Sequence, residues 1–325
     1  MTTIEEIQQS IAPELQALND LISRQLESSN SLMNAIVTNY LKTKGKQIRP
    51  IIVILSAKMF GAVSRQVIAS AAAVELLHNS SLIHDDVIDE SKMRRGTPTV
   101  NSSWDNHIAV LVGDFFVSVA LQQAISTGDI RIVESISDLG KQLSLGELDQ
   151  IYNARYHTLT EEAYFEIINR KTASLFVACA RMGCFAAGVD DERIDTLSMF
   201  ARLLGECFQI KDDIFDYVAT GESIGKPVGN DLREGKITLP LLYALTNSTS
   251  PRRQDMVELS RKEQLNDTEI QQLIDFAVEE GGIGYAYAKM ASLRDEAAGI
   301  IAQFPPSEIT RGFMAIFDYI IDREN

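Results

Sequence analysis

The 325-residue sequence contains only three cysteines, and they form no C-x-x-C pair. Cys179, Cys184 and Cys207 lie in apolar surroundings, which predicts buried, reduced thiols in a cytoplasmic protein. Net positive charge is also missing, because the formal charge at pH 7 is −15. Nucleic-acid binders need a basic face and an anionic membrane would repel this chain, so both partners are excluded. A small anionic ligand still fits if a divalent metal ion screens the carboxylates.

Three further sequence signals are missing. The N-terminal stretch is acidic and lacks the basic-then-apolar plan of a signal peptide. We expect no apolar run to be long enough to span a bilayer. No glycine-rich phosphate loop ending in Lys-Ser/Thr occurs, which excludes an ordinary nucleotide hydrolase.

Proline is scarce, and none of the eight prolines falls within residues 99–226. Apolar residues there recur at helical spacing, as in Ile108, Leu111 and Val112. Since proline breaks helix interiors, its absence favours packed helices. The sequence predicts an all-α fold, a single-domain bundle of roughly ten or more helices over residues 1–325. The predicted loops are residues 41–50, 91–101, 220–236 and 246–254.

One cluster of carboxylates stands at the end of a long apolar stretch. Residues 67–89 read as one helix, and the spacing of Asp85, Asp86 and Asp89 places them close to one face. Three carboxylates on one helical turn repel each other unless a cation lies among them. A solvated acidic helix end is the alternative, but Val87 and Ile88 make this helix amphipathic.

The same D-D-x-x-D pattern occurs a second time. Asp212, Asp213 and Asp216 follow the first cluster by 127 residues (212 − 85), again after an apolar helix and before a basic loop. Two such helices facing each other would form an oxygen-lined cleft. This chemistry suits Mg²⁺, which binds through one or two carboxylates together with substrate phosphates and water.

Basic residues stand beside turns and beside both clusters. Any one of them alone would be interpreted as a solvated surface charge, but their placement in an acidic protein favours contacts with phosphate. The candidates are Lys46, Arg49, Arg94, Arg95, Lys171, Lys211, Lys226 and Lys236. The residues alone thus predict a helical enzyme that binds diphosphates through magnesium.

Five motifs in a fixed order then carry a resemblance. They are HDDVIDESKMRRGTPTVN, GELDQ (146–150), KTASLF (171–176), FQIKDDIFDY (208–217) and GKPVGNDLREGKITLP (225–240). With them the chain resembles the trans-isoprenyl diphosphate synthases, the polyprenyl synthetase family, from about Gly45 to the end. Within that family it looks most like the long-chain polyprenyl synthases that make quinone side chains.

The resemblance implies a fold and a reaction. The fold would be the all-α isoprenoid synthase bundle around a central cavity, commonly a homodimer. Isopentenyl diphosphate would attack the carbocation of an allylic diphosphate such as farnesyl diphosphate. Preorganised cations at the leaving group lower the barrier to that separation of charge. The released diphosphate takes the proton, so no protein base is assigned.

The resemblance also implies residue roles. Magnesium, three ions with substrate bound, would lie among the six aspartates, with Asp85, Asp89 and Asp212 as the direct ligands. The catalytic set would be Asp85, Asp86, Asp89, Lys171, Asp212 and Asp213, and Asp216 completes the metal set. The allylic diphosphate would contact Arg94, Lys171, Thr172, Gln209, Lys226 and Lys236. Isopentenyl diphosphate would contact Lys46, Arg49, His78 and Arg95.

Product length is predicted from the positions one helical turn before Asp85. In this family bulky aromatic residues there stop chain growth, whereas Ser80 and Ser81 are small. The resemblance implies a product of about 30 to 50 carbons, near 40, in an apolar tunnel. One departure is the first basic motif, where Lys44 and Gln47 replace family residues, which puts the loop conformation in doubt.

Four alternatives remain open from the sequence. One is a short-chain farnesyl or geranylgeranyl diphosphate synthase. Another is a non-catalytic subunit of a two-component synthase, although such subunits tend to lose aspartates that this chain keeps. The third is a terpene cyclase, which would not need the residues predicted for isopentenyl diphosphate. The last is a helical scaffold with acidic surface patches.

Overall fold

The computed structural model describes residues 3–42, 45–94, 96–156, 160–218 and 228–323. Most of them lie in helices, which confirms the predicted all-α fold. The α-helices are α1 (Ile4–Ser10), α2 (Ala12–Gln25), α3 (Ser31–Tyr40), α4 (Ile48–Lys58), α5 (Arg65–Ile88), α6 (Val100–Ser103), α7 (Asn106–Ser126), α8 (Ile130–Tyr156), α9 (Glu161–Ile168), α10 (Ser174–Ala186), α11 (Asp191–Val218), α12 (Asn230–Arg233), α13 (Leu239–Asn247), α14 (Arg253–Leu259), α15 (Asp267–Glu279), α16 (Gly282–Ile301) and α17 (Glu308–Asp322). A π-helical turn (Asn169–Ala173) and an antiparallel hairpin of β1 (Met93–Arg94) and β2 (Thr97–Pro98) complete the elements.

The chain divides into two compact units. Unit 1 contains Met1–Lys141, Leu175–Ala201 and Ile300–Ile316, and unit 2 contains Gln142–Ser174, Arg202–Gly299 and Phe317–Asn325. Each unit has its own buried residues. The prediction of one domain over residues 1–325 stays a prediction.

Helix α5 is packed against α2, α4 and α7 in unit 1. It begins where Ser64 caps it by accepting a hydrogen bond from the backbone N–H of Val67. Residues 69–73 are small and buried, which lets the neighbouring helices approach closely. The helix predicted over 67–89 is confirmed, and the first aspartate cluster lies at its C-terminal end.

Helix α7 corrects one expectation. By length and composition it could cross a membrane, whereas the sequence led us to expect no such run. Core helices of soluble proteins pass the same test, and in unit 1 Ala109, Phe116 and Ala120 of α7 are fully buried. Of the most apolar window of α7, 44% is buried, so packing in the core of unit 1 accounts for part of its apolar composition.

Unit 2 is built around α13, which contacts α9, α14 and α15. Leu241, Leu273 and Phe276 are fully buried there. A reciprocal capping box between Asn266 and Glu269 starts α15 and fixes its direction. This core supports one wall of the candidate site in unit 2.

The predicted loops are partly more ordered than expected. Residues 91–101 form the β1–β2 hairpin and the start of α6, where a loop was predicted. Residues 220–236 contain the short helix α12, while residues 219–227 lie outside the described part. The other two predicted loops overlap the connections between α3 and α4 and between α13 and α14, but residues 48–50, 246–247 and 253–254 lie in helices. Residues 43–44 lie outside the described part.

Candidate functional site

The first aspartate cluster occupies the end of α5 in unit 1. Asp85 and Asp86 lie in its last turn, and Asp89 is the C-cap residue, whose N–H donates to the carbonyl of Asp85 at 2.8 Å. Asp85 and Asp89 are half-buried, whereas Asp86 is only 4% exposed. The three carboxylates therefore do not share one environment.

Asp86 forms an ion pair with Arg94. Nε of Arg94 donates to the two carboxylate oxygens at 2.9 and 3.1 Å, and Nη2 lies 2.8 Å from Oδ1. Burial alone would lower the pKa of Arg94, but the hydrogen bonds and charge of Asp86 outweigh it and raise that pKa above its ordinary value. The second aspartate of the motif thus fixes the first of the two arginines.

The hairpin that carries Arg94 is itself tied to α5. The side-chain amide of Asn101 donates to the carbonyls of Asp86 at 3.0 Å and of Ser91 at 3.2 Å. The hydroxyl of Thr99 donates to the same carbonyl of Ser91 at 2.8 Å. The stretch after the aspartates, predicted as a loop, is therefore held against α5 by these hydrogen bonds, which fixes the position of the Arg94 guanidinium.

The predicted chain-length residues lie on different sides of α5. The hydroxyl of Ser80 is buried and donates to the carbonyl of Gly113 on α7 at 2.9 Å. Ser81 is half-buried and donates to the carbonyl of His78 within its own helix. At Gly113 the two helices approach so closely that a Cβ would lie 2.2 Å from Nε2 of His84. Ser80 thus packs against α7.

The residues predicted for isopentenyl diphosphate are found in unit 1. His78 is buried on α5, Lys46 is exposed, and the Arg49 guanidinium lies 5.5 Å from the centre of the Phe176 ring. Gln47 adopts φ 53°, and its side-chain amide donates to Oδ1 of Asn19 at 3.1 Å. This departure from the family motif therefore occupies the N-cap position of α4 in a left-handed conformation, without a side-chain cap hydrogen bond.

Two predicted substrate residues lie outside the described part of the chain. They are Arg95 and Lys226. Their roles stay predictions from the sequence.

The second aspartate cluster lies near the end of α11, in unit 2. Asp213 is only 3% exposed, and both of its oxygens accept hydrogen bonds: Oδ2 from the Tyr164 hydroxyl at 2.6 Å and Oδ1 from the Gln209 amide at 2.8 Å. Burial raises the pKa of Asp213 well above its usual range and the charge of Asp231 raises it further, while the two donors act in the opposite direction. Asp213 is thus held inside a polar network.

Asp216 and Asp212 have different partners. The two oxygens of Asp216 accept the backbone N–H groups of Asn230 and Asp231, each at 2.9 Å, at the start of α12. Asp212 is half-buried and accepts from Nη2 of Arg323 at 2.5 Å, and the guanidinium stacks 4.1 Å from the centre of the Phe208 ring. Asp216 therefore organises the segment that leads to Lys236, and Asp212 faces a cation.

The π-helical turn explains the motif GELDQ. Arg170 pairs with Asp149, Lys171 pairs with Glu147, and Nζ of Lys171 donates to Gln150 at 3.1 Å. A Cβ at Gly146 would lie 2.9 Å from the backbone nitrogen of Lys171, so only glycine allows this approach. The motif is therefore a docking surface for the turn that carries Lys171 and Thr172.

A cavity of about 340 Å³ lies within unit 2. Its wall brings together five of the predicted residues, namely Lys171, Thr172, Gln209, Asp213 and Lys236. Thr172 donates to Gln209 at 2.5 Å, and Lys236 pairs with Glu234 at 2.6 Å. The grouping unites residues from three separate motifs on one wall.

Sequence reasoning missed most of the lining of this cavity, including three polar residues close to the predicted ones. Tyr164, Gln150 and Asp231 line it, and Nε2 of Gln150 is buried without an acceptor among the described residues. Gln150 was visible as the last letter of GELDQ, but nothing in the spacing linked Tyr164 to an aspartate 49 positions away. Tertiary packing alone makes that contact.

Lys211 does not join the cavity wall. It is buried, and its Nζ lies 3.3 Å from the Tyr287 hydroxyl and 5.2 Å from the centre of the Phe215 ring. The hypothesis of a phosphate contact, based on its place in the motif, therefore lacks support for this lysine.

The donor set can be tested against magnesium. Among the described residues, no three acidic, histidine or cysteine side chains form a ready metal cage. Magnesium does not require one, because it binds through one or two carboxylates and keeps water and substrate phosphate as further ligands. Half-buried carboxylates such as Asp85, Asp89 and Asp212 fit that demand.

A family model described as polyprenyl synthetase matches residues 30–277. The chain is 40% identical over 246 residues to octaprenyl diphosphate synthase of Escherichia coli strain K12, 76% of each chain, and 38% identical over 236 residues to heptaprenyl diphosphate synthase component 2 of Bacillus subtilis strain 168, 70% of this chain and 67% of that one. A polyprenyl synthase from Caulobacter crescentus CB15, solved with calcium and isoprenyl diphosphate, superimposes with a TM-score of 0.93 at 30% identity, covering 100% of this chain and 99% of that one.

Proposed function

The chain belongs to the polyprenyl synthetase family, and on that premise we propose that it is a magnesium-dependent trans-prenyltransferase that makes a long-chain polyprenyl diphosphate. It condenses isopentenyl diphosphate with an allylic diphosphate such as farnesyl diphosphate. The octaprenyl length of the Escherichia coli relative supports a product of that size, a precursor of quinone side chains. The observation that carries the proposal is the wall of Lys171, Thr172, Gln209 and Lys236 beside Asp213.

The six aspartates have two different proposed roles: some bind magnesium, and others position neighbouring protein groups. Asp86 holds Arg94, while Asp213 and Asp216 hold the polar wall and the segment before Lys236. By the family motif, Asp85, Asp89 and Asp212 are the proposed ligands of magnesium, three ions with substrate bound. Bound magnesium would neutralise the charge that develops on the departing diphosphate.

The basic residues do the rest of the binding. Arg94, Lys171, Thr172, Gln209, Lys226 and Lys236 hold the allylic diphosphate, and the buried amide donor of Gln150 gains an acceptor from it. Lys46, Arg49, His78 and Arg95 hold isopentenyl diphosphate. Because these donors are fixed before the reaction, they stabilise the leaving group without reorganising. The released diphosphate accepts the proton that the product loses.

Product length is proposed to depend on Ser81 more than on Ser80, since the Ser80 hydroxyl is bound to the backbone of α7. Ser81→Phe introduces the bulk that the family uses to stop growth. We expect shorter products at unchanged primer use. An unchanged product length would remove Ser81 from this role.

The wider setting is also a proposal. The three cysteines are free and buried, which suits a reducing, cytoplasmic setting. Val110, Leu111 and Ile125 of α7 are exposed, at 41%, 64% and 63%, and this apolar surface supports a homodimer. We propose that the whole chain acts as one polyprenyl synthetase domain.

One second candidate has a specific observation in its favour. The similarity to heptaprenyl diphosphate synthase component 2 favours a chain that works only with a partner chain. Retention of both aspartate clusters favours a chain active alone.

One incubation tests these proposals. Purified chain, Mg²⁺, labelled isopentenyl diphosphate and farnesyl diphosphate are combined, and the dephosphorylated products are sized by mass spectrometry. A ladder that ends near the octaprenyl product supports the proposal. Products that end at the geranylgeranyl length from farnesyl diphosphate, or at the farnesyl length from shorter primers, make the chain a short-chain synthase. No extension with any primer supports the two-component alternative.

A further inference from the structure

A chain of hydrogen bonds, buried at Asp213 and partly buried at Gln209, runs along the polar wall of unit 2. Tyr164 donates to Asp213, the Gln209 amide donates to the other oxygen of Asp213, and the Thr172 hydroxyl donates to the carbonyl oxygen of Gln209. The three contacts measure 2.6, 2.8 and 2.5 Å. We call Tyr164, Asp213, Gln209 and Thr172 the relay. It ends on two side chains proposed to bind the allylic diphosphate.

Each link of the relay fixes the orientation of the next. Asp213 uses one oxygen for Tyr164 and the other for Gln209, so its carboxylate plane is set by two donors. With its amide nitrogen on Asp213, Gln209 must present its oxygen to Thr172. A buried network of this kind is rigid only when every member is satisfied.

Tyr164 is the anchor of the relay because its own position is firmly held. Its side chain is only 4% exposed and packs edge-on against Phe165 with ring centres 5.3 Å apart. Burial, followed by the charge of Asp213, raises the pKa of Tyr164 well above its usual range, so the phenol keeps its proton and remains a donor. Without that donor, one oxygen of a buried carboxylate would lack a partner.

We propose that Tyr164 is a positioning residue for the allylic diphosphate, acting through Asp213 on the side-chain amide of Gln209, which has a second N–H to donate to the diphosphate. The Thr172 hydroxyl, whose single proton goes to Gln209, holds the oxygen of that amide. The inference rests on the proposed prenyltransferase function and deepens it. A residue that hydrogen-bonds to a binding group without touching the ligand commonly contributes about 10- to 100-fold to affinity or rate.

The test is Tyr164→Phe, which removes only the hydroxyl. In steady-state kinetics we expect the KM for farnesyl diphosphate to rise about tenfold while the KM for isopentenyl diphosphate stays unchanged. Isothermal titration calorimetry of farnesyl diphosphate with Mg²⁺, in the absence of isopentenyl diphosphate, should show the same weakening. A merely structural loss would reduce the active fraction and kcat, and leave both KM values where they were.

Tyr285→Phe is the matched control. Tyr285 also donates to a carboxylate of unit 2, Glu161, at 2.8 Å, but neither residue lines the cavity. This variant should keep the wild-type KM for both substrates.

A double-mutant cycle covers the case in which Tyr164→Phe is also destabilised. Thr172→Val removes the other end of the relay, so its effect on farnesyl diphosphate binding should not add to that of Tyr164→Phe. Additive effects, or an unchanged KM for farnesyl diphosphate in Tyr164→Phe, would overturn the inference while leaving the proposed function intact. A wild-type chain without prenyl transfer would overturn both.

Discussion

The contact between Asp86 and Arg94 gives a quantitative prediction. The Asp86 side chain is 6% exposed and that of Arg94 is 32% exposed. Breaking a fully buried ion pair costs about 3–5 kcal/mol, because one charge stays buried without a partner, and an exposed pair is worth about 0–1 kcal/mol. Asp86→Ala leaves a partly exposed guanidinium, so we expect a loss of about 2 kcal/mol in the free energy of unfolding.

The assay is urea unfolding followed by far-UV circular dichroism on Asp86→Ala, Arg94→Met and the double variant. Because the double variant removes both charges, its loss should be smaller than the sum of the single losses by about 1–3 kcal/mol. The exposed pair of Arg252 and Glu279, at 2.8 Å, is the control, and Glu279→Ala should cost less than about 0.5 kcal/mol. Additive losses, or an Asp86→Ala loss no larger than the control, would refute the reasoning.

Two more predictions concern the buried core and its thiols. Gly183→Ala would place a Cβ 2.3 Å from the carbonyl oxygen of Val53, so overpacking should cost about 1–3 kcal/mol in urea unfolding. Gly299→Ala meets no atom within 4 Å and should be neutral or stabilising by up to about 1 kcal/mol; equal losses would contradict the packing. Burial raises the pKa of Cys184 and of Cys207 to about 12, so alkylation by iodoacetamide at pH 8 should be slow until urea unfolds the chain. Rapid alkylation of the folded chain would contradict that burial.

Local chemistry made much of the fold readable from the sequence. The helix predicted over 67–89 was found at Arg65–Ile88, because its apolar spacing and its Ser64 cap are local signals. The hairpin after the first cluster was missed, because strands of two residues carry no alternating pattern. Its form depends on Asn101 and Thr99 reaching back to Asp86 and Ser91.

The candidate site, too, could be predicted from the sequence only where the signal is local. Duplicated motifs identified the aspartates, since spacing on a helix is a local property. Spacing could not reveal that the carboxylates of Asp86, Asp213 and Asp216 accept hydrogen bonds from neighbouring protein groups. Tyr164 escaped notice for this reason, as an ordinary tyrosine on an amphipathic helix until packing brings it to Asp213.

The magnesium dependence of the rate tests whether the six aspartates divide into magnesium ligands and positioning residues. The measurement is the Mg²⁺ concentration that gives half the maximal rate in six single Asp→Asn variants. At positions 85, 89 and 212 we predict an increase of at least about tenfold. At positions 86, 213 and 216 we predict a lower maximal rate with the magnesium requirement within about twofold of wild type. A magnesium requirement that rises equally in all six variants would contradict the division.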